Sequence, residues 1–446
     1  MLSFIAAVAA ARDLDVILYG AYGCVGHFAA QHLASQTNLT WAIAGRNATK
    51  LHALAETLAP LPSGKPEIIV ASLTGDLSPW VGRAKAIATA AGPFSIHEGE
   101  NLVKACAALG TSYSDTSDEF YWQRRMITRH NAAAAASGAR IALAAGFCAL
   151  AADIGGALAL EAAGSAPEDE MAVDAWLERY SGGISAGVIN TVHVNASYPK
   201  EWESDPYVLT PNAPPALKRD TIVDGMKYPG LVGGEGVIVP NLFGDYDARL
   251  MRNSFVHRNQ SVHLRVGSPP ALYTDWLALI LAHPSSWSTL TKCPNKALMT
   301  DGYWRYKFQA KAAASNEASN SATTVTVSGS GDPGYNFTAL AVAEVALCLA
   351  GRVESGGAAC RGTRPGVLSP GLAVNVSALH KRLTSIGLMK TEVGIEVAVE
   401  EKVETPAMEA TDEEGLKLFE KLGGAEASGV ERRAAAIEML LSQAAK

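Results

Sequence analysis

Three glycines stand at three-residue spacing in Val16-Ile17-Leu18-Tyr19-Gly20-Ala21-Tyr22-Gly23-Cys24-Val25-Gly26-His27-Phe28. An apolar run stops at the first of them. Phe28, Ala29 and Leu33 then recur with helical period, so the stretch reads as strand, tight turn and helix. Glycine lets a backbone bend sharply and come close to a ligand. The helix that follows offers its first N–H groups and its positive dipole end to a phosphate. Gly20, Ala21, Gly23, Cys24, Val25 and Gly26 are therefore candidate phosphate-cradle positions. The spacing is G-x-x-G-x-x-G rather than G-x-G-x-x-G, and a glycine-rich corner without a ligand is the other reading.

A second short apolar strand over 40–44 runs into Gly45-Arg46-Asn47, with Lys50 one helical turn on. In dinucleotide-binding folds this strand commonly ends on an acidic residue that holds the ribose 2′-OH of NAD. Here the strand ends on a small residue and a cation. A guanidinium can bind a 2′-phosphate with two parallel hydrogen bonds, which a carboxylate would repel. The expected cofactor is NADP(H), with Gly45 and Arg46 as contacts. Lys50 is either a second contact or a solvated lysine. A further strand over 86–90 ends in Ala91-Gly92-Pro93-Phe94. Ligands of parallel sheets sit at the carboxyl ends of strands, so Ala91, Gly92 and Pro93 join the candidate set.

The elements that must position these residues alternate in type. Helix 50–58, strand 67–72, strand 86–90, helix 102–109, strand 112–115, helix 126–136 and strand 140–144 follow in order, and a helix begins at Asp153. That alternation predicts an α/β fold, an N-terminal Rossmann-like, doubly wound parallel sheet. Asp115 and Glu119 are two carboxylates four residues apart; capping of the next helix by Ser117 or Asp118 is the structural use of that stretch. From about Met171 the texture changes to period-two alternation with frequent turns. Strands are expected over 173–180 and 188–194. A hairpin is expected from 304–312 and 323–328 around a polar loop at 315–321. This is a second α+β domain with a largely antiparallel sheet. Helices follow over 338–349 and 374–383. Two short amphipathic helices, opened by Thr411-Asp-Glu-Glu414 and Ser428-Gly-Val-Glu431, make an acidic tail. The domains read as an N-terminal extension 1–13, a dinucleotide-binding domain 14–165, a substrate and dimerisation domain 166–330, helices 331–390 returning to the first domain, and the tail 391–446.

Composition narrows the function. The chain has 446 residues, enough for two or three domains, and a net charge of −7. No basic surplus exists to neutralise a phosphate backbone, so nucleic acid is not expected as a partner. The six cysteines include no C-x-x-C pair and no zinc spacing with histidine. No metal is expected, and six thiols in a reducing, intracellular compartment is the reading. The apolar stretch 2–11 lacks a preceding positive charge and reads as a short leader or frayed extension, with a targeting signal as the other use. The apolar segment 276–282 is too short to span a bilayer. It reads as a core helix or an interfacial, lipid-touching segment.

Tyr19-Gly-Ala-Tyr-Gly-Cys-Val-Gly26, Trp41-Ala-Ile-Ala-Gly-Arg46, Ala91-Gly-Pro-Phe94, Tyr113-Ser-Asp-Thr116, Ala145-Gly-Phe147 with Asp153-Ile-Gly155, Ser181-Gly-Gly183, Gly331-Asp-Pro-Gly-Tyr335 and Gly366-Val-Leu-Ser-Pro370 follow one another. In order and spacing the set resembles the saccharopine dehydrogenase-like oxidoreductases, over roughly residues 14–390. The branch in question includes the mycobacterial trans-acting enoyl reductases. The family's first turn usually reads Gly-Ala-Thr-Gly-Phe-Thr-Gly; here Tyr22, Cys24 and Val25 replace the middle residues. Cys148 stands where the family usually has Asp. The resemblance implies an NADP(H)-dependent oxidoreductase that transfers hydride to an enoyl, carbonyl or imine bond of a small or lipid-like substrate. It further implies a role in lipid or glycolipid metabolism, a homodimer, and contact with a membrane or lipid droplet. Candidates for the proton donor are Tyr113, Asp115, Cys148 and Asp153, each of which also reads as a core, cap or loop residue. The rival readings are a saccharopine-type amine dehydrogenase of lysine metabolism and a non-catalytic NADP-binding scaffold. An amine dehydrogenase of that type must hold several carboxylates and needs convergent arginines. Arg179, Arg219, Arg249, Arg252, Arg258 and Arg265 are the available ones.

Overall fold

Strand β1 (Leu14–Tyr19) is buried at all of its residues. A run apolar on both faces belongs at the centre of a sheet covered on both sides by helices. The structure, a computed structural model, describes residues 12–183, 186–198, 200–223, 230–231, 237–241, 243–272, 293, 296–313, 321–352, 360–362, 364–397, 410–422 and scattered positions between 424 and 439. The chain divides into two units, Met1–Leu150 with Tyr335–Ile386, and Ala151–Gly334 with Gly387–Lys446. The expected apolar stretches 2–11 and 276–282 lie outside the described residues, as do the loop at 315–320 and most of the second tail helix.

In the first unit β1 is followed by α1 (Cys24–Ala34), β2 (Trp41–Gly45), α2 (Ala48–Leu58), β3 (Glu67–Val70), α3 (Ser78–Val81), β4 (Ala84–Thr89), α4 (Gly99–Leu109), β5 (Ser112–Asp115), α5 (Phe120–Ser137) and β6 (Arg140–Ala142). The six strands and the short strand Gly366–Leu368 form one parallel sheet, in the order 366–368, β6, β5, β4, β1, β2, β3. The chain leaves β1 toward β2 and β3, then returns to the other side of β1 at β4. The carboxyl ends of β1 and β4 therefore flank the point where strand order reverses, where such sheets bind ligands.

The core of this unit is the apolar face of α4 and α5 on the strands, with Leu102, Val103, Cys106, Trp122 and Met126 packed against Ile87, Tyr113 and Ile141. Helix Thr338–Leu349 is buried almost throughout, yet carries Glu344. That carboxylate accepts hydrogen bonds from His32 Nε2 on α1 and Arg382 Nε on helix Val376–Ser385, each at 2.6 Å. Burying a charge is costly unless it is paired and hydrogen-bonded, and here both conditions are met.

The second unit contains a seven-stranded sheet in the order 390–397, β12 (Ser321–Ser330), β11 (Tyr303–Ala312), β7 (Glu170–Ser181), β10 (Ser261–Ser268), β9 (Val237–Pro240) and β8 (Gly230–Leu231). All neighbours run antiparallel except β7 and β10. Helix Gly244–His257 is buried from Gly244 to Val256. Gly155 and Gly156 allow helix Phe147–Ala162 a close approach within this unit. A Cβ on Gly155 would overlap the Phe308 ring, and one on Gly156 would stand 2.6 Å from Met251 Cε.

Several local expectations are corrected. Residues 186–196 are a helix, not a strand over 188–194. Among the described residues Thr191, Val192 and Asn195 are its buried positions, with Asn195 three and four residues from the other two, a helical spacing that packing selects over the β-branched composition. The helix expected from Asp153 starts at Phe147. The strand Lys390–Val397, unread in the sequence, pairs with β12. The six-thiol reading fails at four positions: Cys24 and Cys293 are disulfide-bonded, and Cys348 and Cys360 form a disulfide with Cα atoms 4.9 Å apart. Cys348 and Cys360 lie twelve positions apart, with Cys348 in the last turn of helix Thr338–Leu349. Cys106 is a buried free thiol.

Candidate functional site: a dinucleotide cleft at the strand switch point

The glycine turn is built by backbone constraints. Gly20 has φ +80°, and its N–H donates to Ala44 O at 2.9 Å. A Cβ there would stand 3.0 Å from Ala91 Cβ, so the loops after β1 and β4 touch. Gly23 N–H donates to Gly20 O at 3.0 Å and closes the turn. Gly26 lies in α1, and a Cβ on it would overlap the Gly20 carbonyl oxygen. Two of the three glycines are thus needed to seat the helix under the turn. Gly23 is the N-cap of α1 and supplies no side-chain cap, so the N–H groups of the first turn are left for an anion.

A cleft of about 500 Å³ opens at this point. Its walls are Gly20, Tyr22 and Gly23 of the turn, Gly45 and Arg46 after β2, Ser72, Leu73 and Thr74 after β3, and Ala90, Ala91 and Gly92 after β4, together with Tyr19, Ile96, His97 and Glu98. The predicted residues Gly20, Gly23, Gly45, Arg46, Ala91 and Gly92 therefore share one cavity. Ala21, Gly26 and Pro93 are buried beside it, while Cys24 and Val25 open α1. Lys50 Nζ reaches the ring of Tyr22, 5.6 Å from its centroid. Sequence reasoning missed Tyr19, Tyr22, Ser72 to Thr74, Ala90 and Ile96 to Glu98. For Ser72 to Thr74 a usable signal existed, since they follow a strand of the same sheet.

The loop after β4 is held from below. Glu119 accepts the N–H groups of Phe94 at 2.5 Å and Ser95 at 3.0 Å, and the Phe94 ring packs on Trp122, 5.4 Å between centroids. Glu119 is also the N-cap residue of α5, and its side chain makes no cap hydrogen bond. The expected cap at Ser117 or Asp118 is thus displaced to Glu119. Burial raises the Glu119 pKa, opposed by the bonds from Ser95 and Phe94.

Tyr113 and Asp115 lie on β5, fully buried, and neither lines the cleft. Tyr113 donates its hydroxyl to Asp115 Oδ2 at 2.9 Å. Asp115 Oδ1 accepts Ser117 N–H at 3.0 Å, Ser117 Oγ at 2.8 Å and Ala144 N–H at 2.8 Å. Ala144 has φ +70°, a conformation costly for a residue with a Cβ, and the carboxylate secures it. Desolvation lifts the Asp115 carboxyl from 3.8 to about 6, against the hydrogen bonds from Ala144, Ser117 and Tyr113. Burial also raises Tyr113 well above 10, so it remains a donor. Asp153 is buried in the part of helix Phe147–Ala162 that belongs to the second unit, and the side chain of Cys148 lies outside the described residues.

The site fits a phosphorylated dinucleotide. The cradle excludes side chains at Gly20 and Gly26, the start of α1 faces it uncapped, and the end of β2 presents a cation, Arg46, that forms no ion pair with a carboxylate among the described residues. Residues 16–141 match the family model described as the saccharopine dehydrogenase NADP binding domain. This unit is an NADP(H)-binding domain. Two curated relatives are trans-acting enoyl reductases. That of Mycobacterium ulcerans (strain Agy99) is 35% identical over 211 residues, 45% of this chain and 50% of the relative. That of Mycobacterium leprae (strain TN) is 30% identical over 289 residues, 60% of this chain and 68% of the relative. The chain thus spans about half the length of the first and two thirds of the second. Among solved structures it is similar to apo saccharopine dehydrogenase (L-Glu forming) from Saccharomyces cerevisiae, at 14% identity and a TM-score of 0.45, covering 85% of this chain and 100% of that one. The chain belongs to the saccharopine dehydrogenase-like oxidoreductases, in the branch of the trans-acting enoyl reductases.

Proposed function

We propose that the protein is an NADPH-dependent reductase of an activated C=C bond in a lipid-like acyl substrate. The observation that carries the reading is the cleft at the strand switch point with Arg46 at the end of β2, joined to relatives named enoyl reductases. When bound, NADPH supplies a hydride to such a bond. The turn at Gly20 to Gly26 and the start of α1 hold the pyrophosphate, and Arg46 holds the 2′-phosphate. Glu119 keeps the loop after β4 at the edge of the cleft. We infer that Tyr113 and Asp115 set the turn at Ala144 rather than deliver a proton.

Four of the six candidate arginines, Arg249, Arg252, Arg265 and Arg219, speak against a polycarboxylate substrate. Arg249 bonds Asp245 and the carbonyls of Glu203 and Asp205. Arg252 bonds Asp220 and the carbonyls of Val223 and Leu264. Arg265 holds Asp174 with two bonds of 2.5 Å, and Arg219 bonds Ser261. These donors are already engaged within the fold.

The test is NADPH oxidation against enoyl-thioesters, aldehydes and pairs of 2-oxo acid with amine. Turnover of the enoyl-thioesters supports the proposal. Turnover confined to the 2-oxo acid and amine pair favours the amine dehydrogenase. Tight NADPH binding without turnover across the panel favours a scaffold. The homodimer and the lipid-surface contact belong to the same proposal, and are checked by sedimentation and by flotation with anionic lipid vesicles.

A further inference from the structure

Tyr22 is the residue of the glycine turn that the structure uses most unexpectedly. Its Cε1 lies 2.7 Å from where a Cβ on Gly45 would stand, so the ring rests on the backbone at the end of β2. The ring lines the cleft together with Arg46. Over it sits the ammonium of Lys50, 5.6 Å from the centroid, within the range of a cation–π contact. Lys50 stands in the first turn of α2, where its N–H donates to Asn47 Oδ1 at 2.9 Å. That turn contains no acidic residue. A lysine there opposes the helix dipole, and among the described residues no carboxylate pairs with it or with Arg46.

We propose that Tyr22 is a specificity-determining residue: its ring face holds Lys50 Nζ beside Arg46, so that two cations take the 2′-phosphate of NADP(H). This rests on the NADP(H) reading of the cleft and adds a second phosphate contact with its support. The Gly45 position gains a reason too, since a side chain there would displace the ring. The phenol oxygen has no part in the arrangement; the aromatic face does.

The test measures dissociation constants of NADPH and NADH by fluorescence titration at fixed salt, using the full chain. The variants are Tyr22→Phe, Tyr22→Leu, Lys50→Met, the double variant and Arg46→Ala. Tyr22→Phe keeps the NADPH preference of the wild type. Tyr22→Leu lowers it by about two- to fivefold. Lys50→Met lowers it by about tenfold. Adding Tyr22→Leu to Lys50→Met changes it no further. The inference is overturned if Tyr22→Leu weakens both nucleotides equally, if the two losses add, or if Lys50→Met keeps the wild-type preference. Lys50 is exposed, so its variant reports even if Tyr22→Leu misfolds. A wild type that binds both nucleotides equally, with Arg46→Ala unchanged, instead overturns the NADP(H) reading on which the inference stands.

Discussion

Replacing Asp115 by Asn separates a structural carboxylate from a catalytic one. The amide oxygen can keep the three bonds that Oδ1 accepts from Ser117 and Ala144, and the amide N–H₂ can donate to the phenol oxygen of Tyr113. What the substitution removes is a titration. The carboxyl titrates near 3.8 when exposed and near 6 in the fold, so the folded state holds its proton more tightly. The contribution to stability is fully present below pH 3.8 and lost as pH rises through 6. For one group with these two values it falls by about 1.3 kcal/mol between pH 5 and pH 7. At roughly 2–4 °C per kcal/mol for a unit of this size, that is a change of about 3–5 °C. In melts recorded at both pH values, the wild type should lose this much of its advantage over Asp115→Asn as pH rises. NADPH binding should stay at the wild-type level, since Asp115 does not line the cleft. Once a substrate is found, turnover should fall by less than the hundredfold expected for loss of a general acid. Two results would refute the reasoning: a pH-independent difference in melting temperature, or a hundredfold loss of turnover in a variant that melts like the wild type.

Arg46→Ala should weaken NADPH by about 10–100-fold while NADH changes little, read by the same fluorescence titration. Gly26→Ala forces a Cβ into the Gly20 carbonyl oxygen and should cost about 1–3 kcal/mol with a large loss of NADPH affinity; wild-type affinity would show that the turn is not the phosphate cradle. Glu344→Ala leaves Arg382 without its carboxylate in a buried setting and should cost about 3–5 kcal/mol in thermal unfolding. His32 and Arg382 hold the Glu344 carboxyl below 4.5 despite its burial. That contribution is present above pH 4.5 and lost as pH falls through the depressed value, so the gap between wild type and Glu344→Ala should narrow in acid.

The centre of the parallel sheet was legible because β1, β2 and β4 are short apolar runs followed or closed by a glycine, whereas the three-residue strand Gly366–Leu368 at its edge was not read. Gly20 after β1, Gly45 in β2 and Gly92 after β4 each mark a carboxyl end. The cradle followed from the same pattern, since a glycine's missing side chain is itself the signal. Tyr22 was not legible. Its importance comes from lying over Gly45, a residue 23 positions away, and no local rule connects the two. The helix at 186–196 was misread because β-branched residues suggest a strand, whereas burial at 191, 192 and 195 follows a helical face. The disulfide between Cys348 and Cys360 escaped because a separation of twelve positions carries no local signal for pairing.

Charge is where sequence and structure diverge most. Six arginines in the second domain look like a store of donors for an anionic substrate, because composition counts side chains without showing where their hydrogens go. Arg249 and Arg252 stand three residues apart in helix Gly244–His257, on a face buried from end to end. A guanidinium there must be satisfied inside the protein, since leaving it unpaired away from water would cost several kcal/mol. Asp245, one turn earlier, serves Arg249, and Asp220 serves Arg252 while also accepting Leu264 N–H from β10. Asp174 on β7 holds Arg265 on its parallel neighbour β10. These arginines thus tie β10 to β7, to the helix and to the loop at Asp220. Arg46 is the opposite case: exposed, beside a glycine, at the end of a strand, with no carboxylate among the described residues paired to it. The same side chain is structural where the fold supplies its acceptors and ligand-seeking where it does not. On that ground Arg46, rather than Arg249, Arg252 or Arg265, is the arginine left to meet a phosphate of a ligand.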